Sequence, residues 1–220
     1  MTERKLVIPG EIIVSGDDYL PGEWTIKESK NIIAQKFGLA EESGNLVKII
    51  PLSGVYESRR GNVVIGRVDK VISSGWFVDI GTPENSFLPV AEFPRFVPKG
   101  ALESTMDFGE VVVAKIWNID TRGIDLTMKQ RGLGRLDGGI VIDVNPYKVP
   151  RIIGKEGSMV KLLNEKTKCE IVVGQNGKIW IKGDKIEDEL LAKKAIEFIV
   201  EKSFISGLTE EVEKFFGGKK

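Results

Sequence analysis

Val149-Pro-Arg-Ile-Ile-Gly-Lys-Glu-Gly-Ser-Met-Val-Lys161 decides how the C-terminal third of this chain is read. An apolar run carrying one arginine, Arg151, meets two glycines, Gly154 and Gly157, which bracket Lys155 and Glu156. Two glycines let the backbone turn tightly with its amides bare and close to a ligand. From Ser158 onward, Met159, Leu162, Leu163 and Lys166 fall at helical spacing, and Ser158 is placed to cap that helix. A bare turn feeding a helix N-terminus attracts anions, because the first N–H groups are unpaired and the helix dipole is positive there. Arg151, Lys155 and Lys161 add formal positive charge to it.

Alone, two glycines three apart carry little weight in a chain with 25 glycines among 220 residues, and a strand-to-helix turn without a ligand would look the same. The flanks add to it. Ahead of the loop, Gly139-Ile-Val-Ile-Asp-Val144 alternates as a strand with Ile140, Ile142 and Val144 on one face. After the helix, Cys169-Glu-Ile-Val-Val173 and Lys178-Ile-Trp-Ile-Lys182 read as strands split by the turn Gly174-Gln-Asn-Gly177. Asp184 and Glu187 then form a candidate N-cap and third-position partner for a long helix. The order strand, helix, GxxG, helix, strand, strand, helix resembles a KH domain over residues 138–205. In that family the GxxG loop clamps nucleic-acid backbone. The resemblance therefore makes Arg151, Gly154, Lys155, Gly157 and Lys161 candidate RNA contacts.

Composition narrows the chemistry. The chain has no histidine and one cysteine, Cys169, so histidine-based acid–base catalysis, Ser-His and Cys-His pairs, thiolate metal sites and an internal disulfide are excluded. No metal and no cofactor is expected. No apolar run approaches the roughly 20 residues that span a bilayer, and the charged start Met-Thr-Glu-Arg-Lys precedes no signal-peptide core. A cytoplasmic protein without membrane contact is the expectation. Basic and acidic residues balance at 32 each, so a nucleic-acid binder of this kind works through local patches. Residues 1–58 hold six basic and nine acidic side chains, whereas residues 131–161 hold six basic and three acidic. Ordinary surface scatter is the plain account of such a bias, and a three-charge excess is only mild evidence against it.

Upstream, residues 1–58 read as short strands between Gly/Pro turns: Leu6-Val-Ile8, Glu11-Ile-Ile-Val14, Tyr19-Leu20 and Asn45-Leu-Val-Lys-Ile-Ile50. They predict a small all-β module, fitter for an interface than for catalysis. Residues 59–137 carry a second β pattern: a long strand from Asn62 to Val71, an alternating Ser74-Gly-Trp-Phe-Val-Asp-Ile-Gly81, a third strand at Asn85–Pro89, and a hairpin of Glu110–Asp120 with Gly123–Met128 around Thr121-Arg122. Five strands with a long third connection predict an OB-fold barrel. Gly66-Arg-Val68, Gly75-Trp-Phe-Val-Asp-Ile-Gly81, Ser86-Phe-Leu-Pro89 and Asn118–Thr127 resemble the RNA-binding repeat of ribosomal protein S-one. The resemblance implies that Phe77 stacks on a base and that Asp120 and Arg122 contact RNA. The chain departs from the family in having Ser74 where an aromatic is common and Pro89 where a histidine is common. Weaker stacking, with more of the affinity electrostatic, follows from those departures. Arg131-Gly-Leu-Gly-Arg135 joins the two domains, as a basic contact loop that adds Arg131 and Arg135 or as a plain linker. Residues 206–220 read as a tail with a short amphipathic piece, Thr209–Phe216, and a frayed Gly-Gly-Lys-Lys end.

A β module, an S-one barrel and one KH domain in that order resemble the RNA-binding cap subunits of the archaeal exosome. Val7-Ile-Pro-Gly10, Tyr19-Leu-Pro-Gly22, Ile50-Pro-Leu-Ser-Gly54 and Leu126-Thr-Met-Lys-Gln-Arg-Gly-Leu-Gly134 also look like that family. The resemblance implies a multidomain, non-catalytic chain, three copies of which, alone or mixed with a related cap subunit, sit on a hexameric ring of RNase PH-like subunits. Residues 1–58 would dock on the ring, and the barrels would pass single-stranded RNA 3′ ends into its pore. A transcription or translation factor built from the same two RNA-binding domains is the alternative. A hydrolytic nuclease would need carboxylates clustered around Mg²⁺, and Asp79, Asp120 and Asp125 form no such motif.

Overall fold

The computed structural model describes residues 5–98, 100–203, 205 and 207–217. It divides into two compact units, Met1–Gly54 and Val55–Lys220. In the first, β1 (Lys5–Val7), β2 (Ile12–Ser15), β3 (Leu20–Pro21), β4 (Thr25–Glu28), β5 (Asn31–Ala34), β6 (Gly38–Ser43) and β7 (Leu46–Pro51) make two sheets, ordered β1-β6-β7-β3 and β2-β5-β4. Val7, Ala34, Ala40 and Ile49 form the core between them. The strands between Thr25 and Ser43 escape a reading based on Gly/Pro punctuation. Two of their turns use Trp24 and Ser29 at positive φ, 61° and 55°, positions that glycine more commonly fills.

In the second unit the chain first builds β8 (Val63–Ile72), β9 (Gly75–Asp79), β10 (Ser86–Pro89), the short α1 (Leu102–Thr105), β11 (Val111–Asp120) and β12 (Gly123–Thr127). Their order is β12-β10-β9-β8-β11, and pairing of β12 with β11 closes the barrel. Alternation puts Trp76, Val78, Leu88, Val112, Ile116 and Leu126 inside. The long third connection, residues 90–110, is tied down by Trp76, whose indole Nε1–H donates to the Met106 carbonyl at 2.8 Å. Part of the expected inter-domain loop is a strand: β13 (Gly134–Leu136) pairs with Val111–Val113 at the sheet edge.

The KH part follows: β14 (Ile140–Asp143), α2 (Val149–Ile153), α3 (Ser158–Thr167), β15 (Glu170–Val173), β16 (Lys178–Lys182) and α4 (Ile186–Glu201). Its antiparallel sheet, ordered β14-β16-β15, packs Ile171, Ile179 and Ile181 against Ile152, Leu163, Ala192, Ile196 and Ile199 of the helices. Two caps differ from expectation. Gly157, left-handed at φ 77°, is the N-cap of α3, and Ser158 is already helical. Lys185 precedes α4 without a side-chain cap, and Glu189 rather than Glu187 reaches back to accept from the Gly183 N–H at 3.1 Å. The amphipathic piece near the C-terminus forms α5 (Leu208–Gly217), which buries Leu208 and Val212 in the KH core, with Phe215 tilted 5.0 Å from Phe198. The Gly-Lys-Lys end, residues 218–220, lies outside the described residues.

The turn Gly174–Gly177 carries the join between barrel and KH sheet. Gln175 exchanges hydrogen bonds with the Val63 backbone, its N–H donating to the carbonyl and its Oε1 accepting from the N–H. Asn176 is 8% exposed and is bonded to the Ile65 backbone and the Ile80 carbonyl. A Cβ on Gly174 would come within 2.9 Å of the Ile65 nitrogen, so a side chain there would wedge the two apart. Beside the turn, Ile65 and Val113 of the barrel bury themselves against Trp180 of β16.

Candidate nucleic-acid interface

Strand alternation that sends Trp76 and Val78 inward turns Phe77 outward on β9. Its register partner on β10 is Phe87, and their rings lie 5.1 Å apart at 47°. Sequence reading had not singled out Phe87. Its place opposite Phe77 follows only from the β9–β10 register. Both rings are half-buried, so they are rigid and still offer a face. Lys70, the β8 partner of Phe77, was also missed, because a bulge between Val68 and Lys70 interrupts the alternation that would have pointed it outward.

At the β11–β12 turn, Asp120 organises its own hairpin. Its Oδ1 accepts the Arg122 N–H at 2.7 Å, and its Oδ2 accepts from Arg122 Nη2 at 2.7 Å and Nε at 3.1 Å. These bonds hold the Asp120 carboxyl below the usual carboxylate range and the Arg122 guanidinium above its own. Arg122 remains 85% exposed, so an aimed cation projects into solvent. Phe77, Phe87, Pro89, Asp120, Arg122 and Asp125 line one open depression of about 460 Å³. Ring faces beside an oriented guanidinium can stack a base and pair with its phosphate.

Other predicted residues stand apart. Arg131 is exposed on the turn after β12. Arg135 lies on β13, opposite Val112 at the other end of β11 from Asp120, and is clamped by Glu110 at 2.9 Å and Asp137 at 2.8 Å. Two carboxylates hold that charge at 41% exposure, where Arg122 has one and is 85% exposed, which weighs against the phosphate contact expected of it. On the KH part, Gly154 (φ 72°), Glu156 (φ 54°) and Gly157 (φ 77°) all adopt positive φ. Gly154 cannot be replaced cheaply, since a Cβ would sit 2.7 Å from the Met159 nitrogen. Nothing would touch a Cβ on Gly157, whose φ alone asks for glycine. Arg151, Lys155, Glu156 and Lys161 are exposed around this turn. Burial pushes the nearby Lys148 amine down, with the Arg151 charge adding to the effect.

Among the described residues, no three or more Cys, Asp or Glu side chains gather as a metal site, and no helix is long and apolar enough to cross a membrane.

Three comparisons bear on this geometry. The KH domain family model matches residues 139–187. Exosome complex component Rrp4 of Methanobrevibacter smithii is 40% identical over 96% of this chain and 70% of its own length. Its namesake in Methanothermus fervidus is 39% identical over 97% and 95%, and that of Sulfurisphaera tokodaii 40% over 99% and 90%. A crystal structure described as an exosome complex RNA-binding protein superposes with a TM-score of 0.65 at 36% identity, covering 75% of this chain and 97% of its own.

Proposed function

The chain belongs to the exosome complex component Rrp4 family, and from that premise we propose that it is a non-catalytic RNA-binding cap subunit that captures single-stranded 3′ ends and feeds them to the pore of an RNase PH-like ring. The observation that carries the RNA part is the convergence of Phe77, Phe87, Asp120 and Arg122 on one depression. The rings supply stacking, and Arg122, aimed by Asp120, supplies charge. Nucleophile, metal cluster and histidine base are not what this surface offers; chemistry on RNA would belong to partner subunits. The KH loop adds a weaker backbone contact, through Lys155 and the amides around Gly154 and Gly157, opposed by Glu156.

Working boundaries are residues 1–58 for docking, 59–137 for the S-one barrel and 138–205 for the KH domain. Docking by the first of these is supported by the row Ile12–Ile33–Ile26, which crosses β2, β5 and β4 in register with Ile12 48% and Ile26 42% exposed. Exposed isoleucines in register make a flat apolar strip of the kind that a partner covers.

Two measurements test the proposal. Native complex isolated through this chain and identified by mass spectrometry should contain ring subunits; ribosomal or polymerase subunits in their place would favour the translation or transcription reading. Phe77→Ala should weaken binding of single-stranded RNA by roughly 1–3 kcal/mol, one stacked base's worth. Unchanged affinity would remove the depression from the RNA path.

A further inference from the structure

The band that starts at Phe77 does not end at the depression. Register partners continue it across the barrel: Phe77 pairs with Phe87, Phe87 with Asp125 of β12, and Asp125 with Asn118 of β11. Asn118 Nδ2 donates to Asp125 Oδ2 at 3.2 Å, which holds the last step flat. At that far end the β11–β12 register slips between Ile116 and Asn118, so Trp117 is an extra residue on β11. Such bulges re-aim a side chain and recur beside binding sites. The slip leaves Trp117 42% exposed, on the outside of a barrel whose neighbouring Ile116 is fully buried. Among the described residues its indole has neither a hydrogen-bond partner nor a ring partner. Three strand spacings of about 4.8 Å put it roughly 14 Å from Phe77 around the surface.

Its surroundings favour nucleic acid over protein. The nearby outward side chains are polar: Asn118, Asp125, and Lys115, whose Nζ donates to Gln130 Oε1, while Ile119, 40% exposed, shares the inner face with its register partner Ile124. The segment before β8 runs alongside, with the Gly61 N–H donating to the Ile116 carbonyl at 2.7 Å, which brings exposed Arg60 to the same edge. A lone aromatic flanked by cations and amides is suited to a stacked base with its phosphate, whereas a protein partner would ask for a contiguous apolar patch.

We propose that Trp117 is a second base-stacking platform for the same RNA strand, so that the strand crosses the barrel from β9 over β10 and β12 to the β11 bulge. This rests on the reading of the Phe77 depression as an RNA site, and the test separates the two.

The probe is single-stranded oligoadenylate of about ten nucleotides, within the roughly 4–16 that an OB fold takes, titrated into the full chain. Of the four tryptophans, Trp76 and Trp180 are buried and Trp24 belongs to the first unit with the Lys36 amine over its ring, so stacking on Trp117 should quench an identifiable part of the emission. The Trp117→Phe variant keeps a smaller ring to stack on and should lose that quench. Trp117→Ala should bind at least about five-fold more weakly, the low end for one stacked base. If Trp117→Ala binds within two-fold of wild type while Phe77→Ala is weakened, this inference is overturned and the Phe77 site stands. If neither substitution changes affinity, both fail. A quench that survives Trp117→Phe also overturns it.

Discussion

Asn176 and Ile65 exchange a pair of hydrogen bonds: Asn176 Nδ2 donates to the Ile65 carbonyl at 2.7 Å, and the Ile65 N–H donates to Asn176 Oδ1 at 3.2 Å. The side-chain amide thus behaves as a piece of strand laid against β8, and Nδ2 also reaches the Ile80 carbonyl at 2.8 Å. A KH turn that satisfies three buried backbone groups of the barrel makes the two domains one body.

Asn176→Ala would leave those groups buried without partners. Each costs about 1–3 kcal/mol when orphaned, so a loss of roughly 2–5 kcal/mol is expected after partial relaxation. Thermal or denaturant unfolding followed by circular dichroism checks it. A shift no larger than that of an exposed control such as Gln130→Ala would mean that the joint does not depend on this amide.

Arg122 and Arg135 should separate in salt titrations. Each phosphate neutralised on a single strand adds about 0.7 to the slope of log affinity against log salt. Arg122→Ala should flatten the slope by that amount. Arg135→Ala should change it less, because two carboxylates, Glu110 and Asp137, hold that guanidinium at 41% exposure, whereas Asp120 alone holds Arg122 at 85%. Equal flattening by both would show that the Arg135 ion pairs open to admit RNA.

The aim of Arg122 has a predictable pH window. Asp120 has a lowered carboxyl pKa in the folded protein. The contribution of its clamp is therefore present above the unfolded value of about 3.9 and is lost as pH falls through the lower folded value. RNA affinity should be flat from pH 8 to pH 5, and Asp120→Asn should weaken it throughout that range. A wild-type decline centred near pH 6 would point to a different group.

On the KH loop, Glu156→Lys should tighten RNA binding modestly at fixed salt, since exposed charges are screened. Gly154 is unsuitable as a binding probe because its substitution strains the loop itself. Fluorescence anisotropy reads the outcome. Weaker binding by Glu156→Lys would make the loop structural and leave the barrel as the RNA site.

The isoleucine row of the first unit predicts a loss of assembly without a loss of fold. Ile12→Glu with Ile26→Glu should keep the strand signal in circular dichroism while abolishing co-purification with ring subunits. Retained assembly would move the docking face elsewhere.

The sequence alone determined the order of modules, the barrel alternation at Gly75–Ile80, the hairpin at Thr121-Arg122 and the Gly154–Gly157 turn. All of these are written in short-range patterns: period two, period 3.6 and glycine placement. It also brought Phe77, Asp120 and Arg122 forward as candidates through family resemblance. What it could not supply was adjacency. Phe87 joins Phe77, and Trp117 lies at the end of the same band, only through strand register and two bulges, which depend on how whole strands pack. Arg135, read as part of a basic contact loop or a plain linker, meets Glu110 because β13 pairs with β11. Gly174-Gln-Asn-Gly177 reads locally as a hairpin turn, and nothing within those four residues says that Asn176 will meet Ile65. That partner is 111 residues earlier in the chain, and the bond exists because two separately patterned cores bury Ile65 and Trp180 against each other.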